Sequence, residues 1–150
     1  MAAYKLIVML HMLGACVWIG GHAVLVGMIL PKALKRNDPG PVLEFERDYG
    51  RLGLGALVVQ LATGLWLADR WIGDWSTIFR EPTPQAHLIL SKLTVLVITV
   101  MLAGFTYHKV LPRIDEGRLK LFTLLASVTT GLAVIMLVLG VGIRTGGLFP

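Results

Sequence analysis

Residues 6–30 read LIVMLHMLGACVWIGGHAVLVGMIL, 25 consecutive positions without an Asp, Glu, Lys or Arg. A bilayer core of about 30 Å is crossed by roughly 20 residues of helix, so this stretch is long enough to span. Three more runs follow: Leu52–Ala68 with 17 residues, Leu88–His108 with 21, and Leu121–Ile143 with 23. Of 14 Lys and Arg and 9 Asp and Glu, only Lys92 lies inside a run. The runs lack the period-two alternation of barrel strands, and a single helix satisfies its own backbone in lipid. The expected fold is therefore all-α, an integral membrane four-helix bundle running up-down-up-down. It forms one transmembrane domain over residues 1–150, with spans near 6–30, 52–68, 88–108 and 121–143.

Composition agrees. Hydrophobic residues make up 55% of the 150, charged residues 15%, and the mean hydropathy is +0.74. A soluble domain carries about a quarter charged residues. The net charge of +5 could suggest nucleic acid, but no aromatic–basic interleaving accompanies it. One cysteine, Cys16, excludes an internal disulfide and any CxxC pair. Leu13-Gly14-Ala15-Cys16 has the look of a lipoprotein cleavage site, yet the apolar run continues far beyond it, unlike a signal h-region.

The basic residues set the expected direction. Lys32, Lys35, Arg36, Arg47 and Arg51 lie in the first connection, Pro31–Arg51, and Lys109, Arg113, Arg118 and Lys120 in the third, Lys109–Lys120. Excess Lys and Arg marks the cytoplasmic side, which places both termini outside, N-out and C-out. In a bacterium that means an inner-membrane protein with its termini in the periplasm. The second connection, Trp71-Ile72-Gly73-Asp74-Trp75 through Ile78-Phe79, suits the headgroup layer, with Pro82 and Pro84 closing it.

Ligand-type residues inside a membrane are expensive and therefore informative. His11 and His22 are 11 residues apart, which leaves them about 20° from the same helix face and about 16.5 Å apart along it. Ala15 and Trp18 complete the stripe. Two histidines at that spacing cannot share one ion. Gln60 is expected to join helices by hydrogen bonding, and Lys92 either snorkels or faces a site. In the serpentine order, His11, His87 and Lys92 fall in the outer half, His22 and His108 in the inner half. Met9, Met12 and Cys16 supply soft sulfur near His11, a donor set suited to Cu(I).

The string Leu10-His11-Met12-Leu13-Gly14-Ala15-Cys16-Val17-Trp18-Ile19-Gly20-Gly21-His22 resembles the opening helix of the copper-resistance protein D (CopD) family. Leu30-Pro31-Lys32-Ala33-Leu34, Phe45-Glu46-Arg47, Arg51-Leu52-Gly53 and Thr63-Gly64-Leu65-Trp66-Leu67 extend the likeness. Ser91-Lys92-Leu93 through Tyr107-His108 is similar both to that family and to the related HemJ-type protoporphyrinogen oxidases. The resemblance implies an inner-membrane protein of copper uptake or tolerance, working beside a periplasmic copper carrier. In the HemJ-like relatives, which bind haem, His11 and Lys92 match positions associated with function.

Two readings stay open. In the first, copper ion is handled by His11, Met12 and Cys16 on the outer side and by His22 and His108 lower down. In the second, one or two b-type haems are held by His11 with His87 and by His22 with His108, for transmembrane electron transfer or porphyrinogen oxidation with a redox partner. Helix rise sets the inner pair about 6 Å apart in height and the outer pair about 9 Å apart. Lys92 completes the cofactor-binding candidates. No nucleophile–base set or phosphate loop occurs in the spans, so an enzyme here would be a haem-dependent membrane oxidoreductase. A third reading, a non-catalytic membrane partner in a larger complex, has no residue that argues for it; assembly into a homo-oligomer stays open.

Overall fold

The computed structural model describes residues 2–76 and 83–145. Four helical stretches are long and apolar enough to cross a membrane: Ala2–Arg36, Gly40–Ile72, Pro84–Arg113 and Glu116–Thr145. The first consists of α1 (Ala2–Val24), a π-helical turn (Leu25–Ile29) and α2 (Leu30–Arg36). The second is α3 (Gly40–Ile72). The third is α4 (Pro84–Phe105), a π turn (Thr106–Val110) and a 3₁₀ turn (Leu111–Arg113), and the fourth is α5 (Glu116–Thr145).

The two π turns share a cause. Each ends two residues before a proline, Pro31 or Pro112. Proline lacks an N–H and its ring collides with the carbonyl four residues back. The chain widens by one residue instead of breaking: Leu30 N–H bonds Leu25 O, and Leu111 N–H bonds Thr106 O. Pro84, by contrast, occupies the first turn of α4, where no N–H is needed, behind a Thr83 cap that accepts from Ala86 N at 3.1 Å.

The connections are shorter than the charge pattern implies. Pro31–Arg51 is expected as a loop, but α2 runs to Arg36 and α3 starts at Gly40. Charged residues end the lipid-soluble run without ending the helix, because a helix in water has no need of apolar side chains. The remaining link, Asn37 to Pro39, turns on Asn37 in the left-handed region (φ 49°), and Asp38 N–H reaches back to Ala33 O. Likewise the third connection is largely helical, leaving Ile114 and Asp115 between turns. Asn37 Nδ2 donates to Glu116 Oε2 at 2.8 Å, so the first and third connections lie at one end of the bundle. Of the second connection, Ile78, Phe79, Arg80 and Pro82 lie outside the described residues. Trp71 and Trp75 are exposed beside it, with Trp75 Nε1 donating to Asp69 Oδ1 and Arg70 over the Trp66 ring, the amphipathic anchoring found at a membrane interface.

Packing is uneven along the bundle. α1 lies along α3, α4 along α5, and α5 also meets α1, whereas α3 and α4 do not pack along one another. At the end carrying Asn37 and Glu116, Leu25, Leu30, Ala33, Val42, Val110, Leu119, Phe122 and Ala126 close into one apolar core. The α1–α3 seam is set by small residues. Gly14 faces Ala56 and Gln60, and Gly21 faces the Tyr49 ring, whose hydroxyl donates to Val17 O. Many Leu, Val, Ile and Met side chains point outward on all four spans, the surface a lipid solvent requires.

Candidate functional site

Away from that apolar core, toward the end bearing the termini, the four helices enclose a cavity of about 370 Å³. α1 contributes His11, Met12, Ala15 and Trp18, α3 contributes Gln60 and Gly64, α4 contributes Lys92, and α5 contributes Met136, Gly140 and Arg144. The rest of the wall is mostly aliphatic.

His11 is held from α3 by two contacts. Its ring Nδ1 lies 2.9 Å from Thr63 Oγ1, and its carbonyl accepts from Gln60 Nε2. The Thr63 hydroxyl has one proton, which goes to Val59 O in its own helix. Thr63 Oγ1 is therefore the acceptor and His11 Nδ1–H the donor. That tautomer leaves the Nε2 lone pair free. Gly64 makes room for the ring, since a Cβ there would stand 3.1 Å from His11 Cε1.

His22 is fixed in the same tautomer by a different partner. Its Nδ1–H donates to Trp18 O at 3.0 Å, and its ring stacks at a tilt on Trp18, centroids 4.5 Å apart. Its Nε2 is again uncommitted, but His22 lies beyond the cavity wall that Trp18 lines. Trp18 Nε1 is buried and has no hydrogen-bond partner.

Lys92 reaches from α4 into the cavity that His11 lines. Its Nζ sits over Gly140, where a Cβ would approach to 2.9 Å. Nothing among the described residues accepts a hydrogen bond or forms an ion pair with it.

The other candidates stand apart. Cys16 is exposed and does not line the cavity. Met12 borders the cavity while most of its surface faces outward. His87 and His108 are exposed; His108 meets the Tyr107 ring edge-on, and among the described residues neither bonds or stacks with His11 or His22. Among the described residues no group of three or more His, Cys, Asp or Glu is placed to hold a metal ion. A metal here would have to rest on few ligands, with thioethers included.

Thr63, Met136 and Arg144 were not legible as site residues from sequence. A threonine in a membrane helix usually bonds its own i−4 carbonyl, as Thr94, Thr99, Thr106, Thr123 and Thr130 all do here. Only the cross-helix histidine distinguishes Thr63.

Fold and site together define a multi-pass membrane protein of four helices around a cavity with one preset imidazole. A family model described as copper resistance protein D matches residues 43–143, two thirds of the chain. The chain belongs to that family, and so to membrane proteins associated with copper resistance. The matched segment carries Gln60, Thr63, Lys92 and Met136, while His11 and His22 lie before it. No curated protein and no solved structure matches the chain.

Proposed function

We propose that this protein handles copper(I) in the cavity, with His11 Nε2 as the nitrogen ligand and the Met12 and Met136 thioethers as soft donors. One observation carries the reading: the Thr63 acceptor holds His11 as the Nδ1–H tautomer with Nε2 free at the cavity wall. Metal-binding histidines characteristically donate their other ring N–H to a fixed partner in this way. Imidazole and thioether suit copper(I), which needs few ligands. His22 forms a second, separate station nearer the apolar core. Because that core fills the far end, the cavity acts as an acceptor at one membrane face; it is not a ligand-lined passage from side to side. By the basic-residue pattern the cavity faces the periplasm of a bacterial inner membrane, where a soluble copper carrier would deliver to it.

The test is copper(I) titration of the purified protein in competition with a chromogenic chelator. His11→Ala should abolish the cavity-bound ion, and unchanged copper content in that variant defeats the reading.

A second reading, b-type haem in the same cavity, draws on Lys92 and Arg144, whose charges suit propionates. His11 would then be an axial ligand without His87 opposite. A Soret band in the isolated protein distinguishes it.

A further inference from the structure

We infer that the cavity also takes a long-chain carboxylate from the surrounding lipid, its head group on Lys92 and its chain along the aliphatic wall. The charged lining points one way: Lys92 and Arg144 are cations, and no Asp or Glu lines the cavity. Gln60 Nε2 is already committed to His11 O. Lys92 has no acceptor among the described residues, and a half-buried ammonium facing an apolar cavity calls for a counter-charge. A single carboxylate supplies it.

The apolar part of the ligand follows from the walls. Leu57, Leu67, Leu93, Leu96 and Leu137 line the cavity, and α3 and α4 flank it without packing along each other. An acyl chain seated there reaches the hydrocarbon by that flank. A small hydrophilic anion would leave these side chains uncovered.

The carboxylate also bears on copper, and this step rests on the function proposed above. An ammonium lining the same cavity as His11 repels a cation at Nε2. A carboxylate on Lys92 cancels that charge. Copper(I) and the lipid anion therefore bind cooperatively, each favouring the other by the same factor.

The experiment uses the full chain in detergent and a fluorescent polyene fatty acid, excited by energy transfer from tryptophan. Metal-free protein should bind the acid and not its uncharged methyl ester. Lys92→Gln should weaken binding at least about tenfold, the worth of one charge-assisted hydrogen bond, and Lys92→Arg should restore it. Equal binding of acid and ester overturns the proposal, and this comparison needs only the wild-type protein. So does unaltered binding by Lys92→Gln with wild-type helicity, or displacement of a resident haem by the probe. Copper(I) titration is then repeated with the acid present. Tighter copper binding in the wild type, but not in Lys92→Gln, is expected. Acid binding without any effect on bound copper removes the coupling, whereas acid binding to a protein that takes up no copper sinks the copper reading alone.

Discussion

His11 Nδ1 stands 2.9 Å from Thr63 Oγ1, a bond from the first membrane span to the second that decides which ring nitrogen of His11 can act. The hydroxyl proton is spent on Val59 O, so the ring must donate, and the free lone pair is at Nε2. Thr63→Val removes the acceptor and keeps the shape. Copper(I) affinity at the cavity should fall by about 10- to 100-fold, the usual cost of losing the group that orients a ligating histidine. Thr63→Ser should retain it. Chelator competition on the three proteins measures this, and equal affinities would show that the hydroxyl does not orient His11.

The seam between α1 and α3 depends on Gly21. A Cβ there would overlap the Tyr49 ring, whose hydroxyl is tied to Val17 O, so the ring has little freedom to move away. Gly21→Ala should cost about 1–3 kcal/mol through overpacking. Its neighbour Gly20 has nothing within 4 Å of an added Cβ, and Gly20→Ala should be neutral within about 0.5 kcal/mol. Denaturant unfolding in detergent, followed by helicity, compares the pair.

The same seam shows what a sequence can disclose. Spans and their number follow from where charge is absent, since lipid enforces that rule locally. The stripe from His11 to His22 follows from helical periodicity; His11, Ala15 and Trp18 share the cavity wall, while His22 lies beyond it. Gln60, expected to join helices, does so at His11 O. Tertiary facts were hidden. Residues 40–51 continue α3 although they are polar, because leaving the membrane does not end a helix. Proximity of Lys92 to His11 depends on rotation of α4, which its nearly uniform apolar sequence leaves unmarked. His87 was matched to His11, and His108 to His22, by height along the bundle alone. Height says nothing of azimuth, and both are exposed.

Orientation has its own test. Asn37 and Glu116 bring the two basic connections to one end, so both must face the same compartment. With Cys16 replaced by Ser, a cysteine at Asp74 should label with an impermeant maleimide added outside cells. One at Lys35 should label only after the membrane is opened. The opposite pattern would put the cavity on the cytoplasmic side.

His11 and His22 should act independently. About 16.5 Å of helix rise separates them, and Trp18 intervenes, lining the cavity on one side and stacking on His22 on the other. Each ring is held by a different acceptor, Thr63 Oγ1 for His11 and Trp18 O for His22, so replacing one leaves the other's tautomer intact. His11→Ala should therefore eliminate the cavity-bound copper(I) and spare a His22-dependent ion, and His22→Ala should do the reverse. The double variant should lose both, with the two affinity losses additive, as expected for sites without shared partners. Elemental analysis with chelator competition gives the stoichiometry of each protein. Loss of both ions in either single variant would mean that one site depends on the other, and unchanged copper in all three would assign both histidines to helix packing.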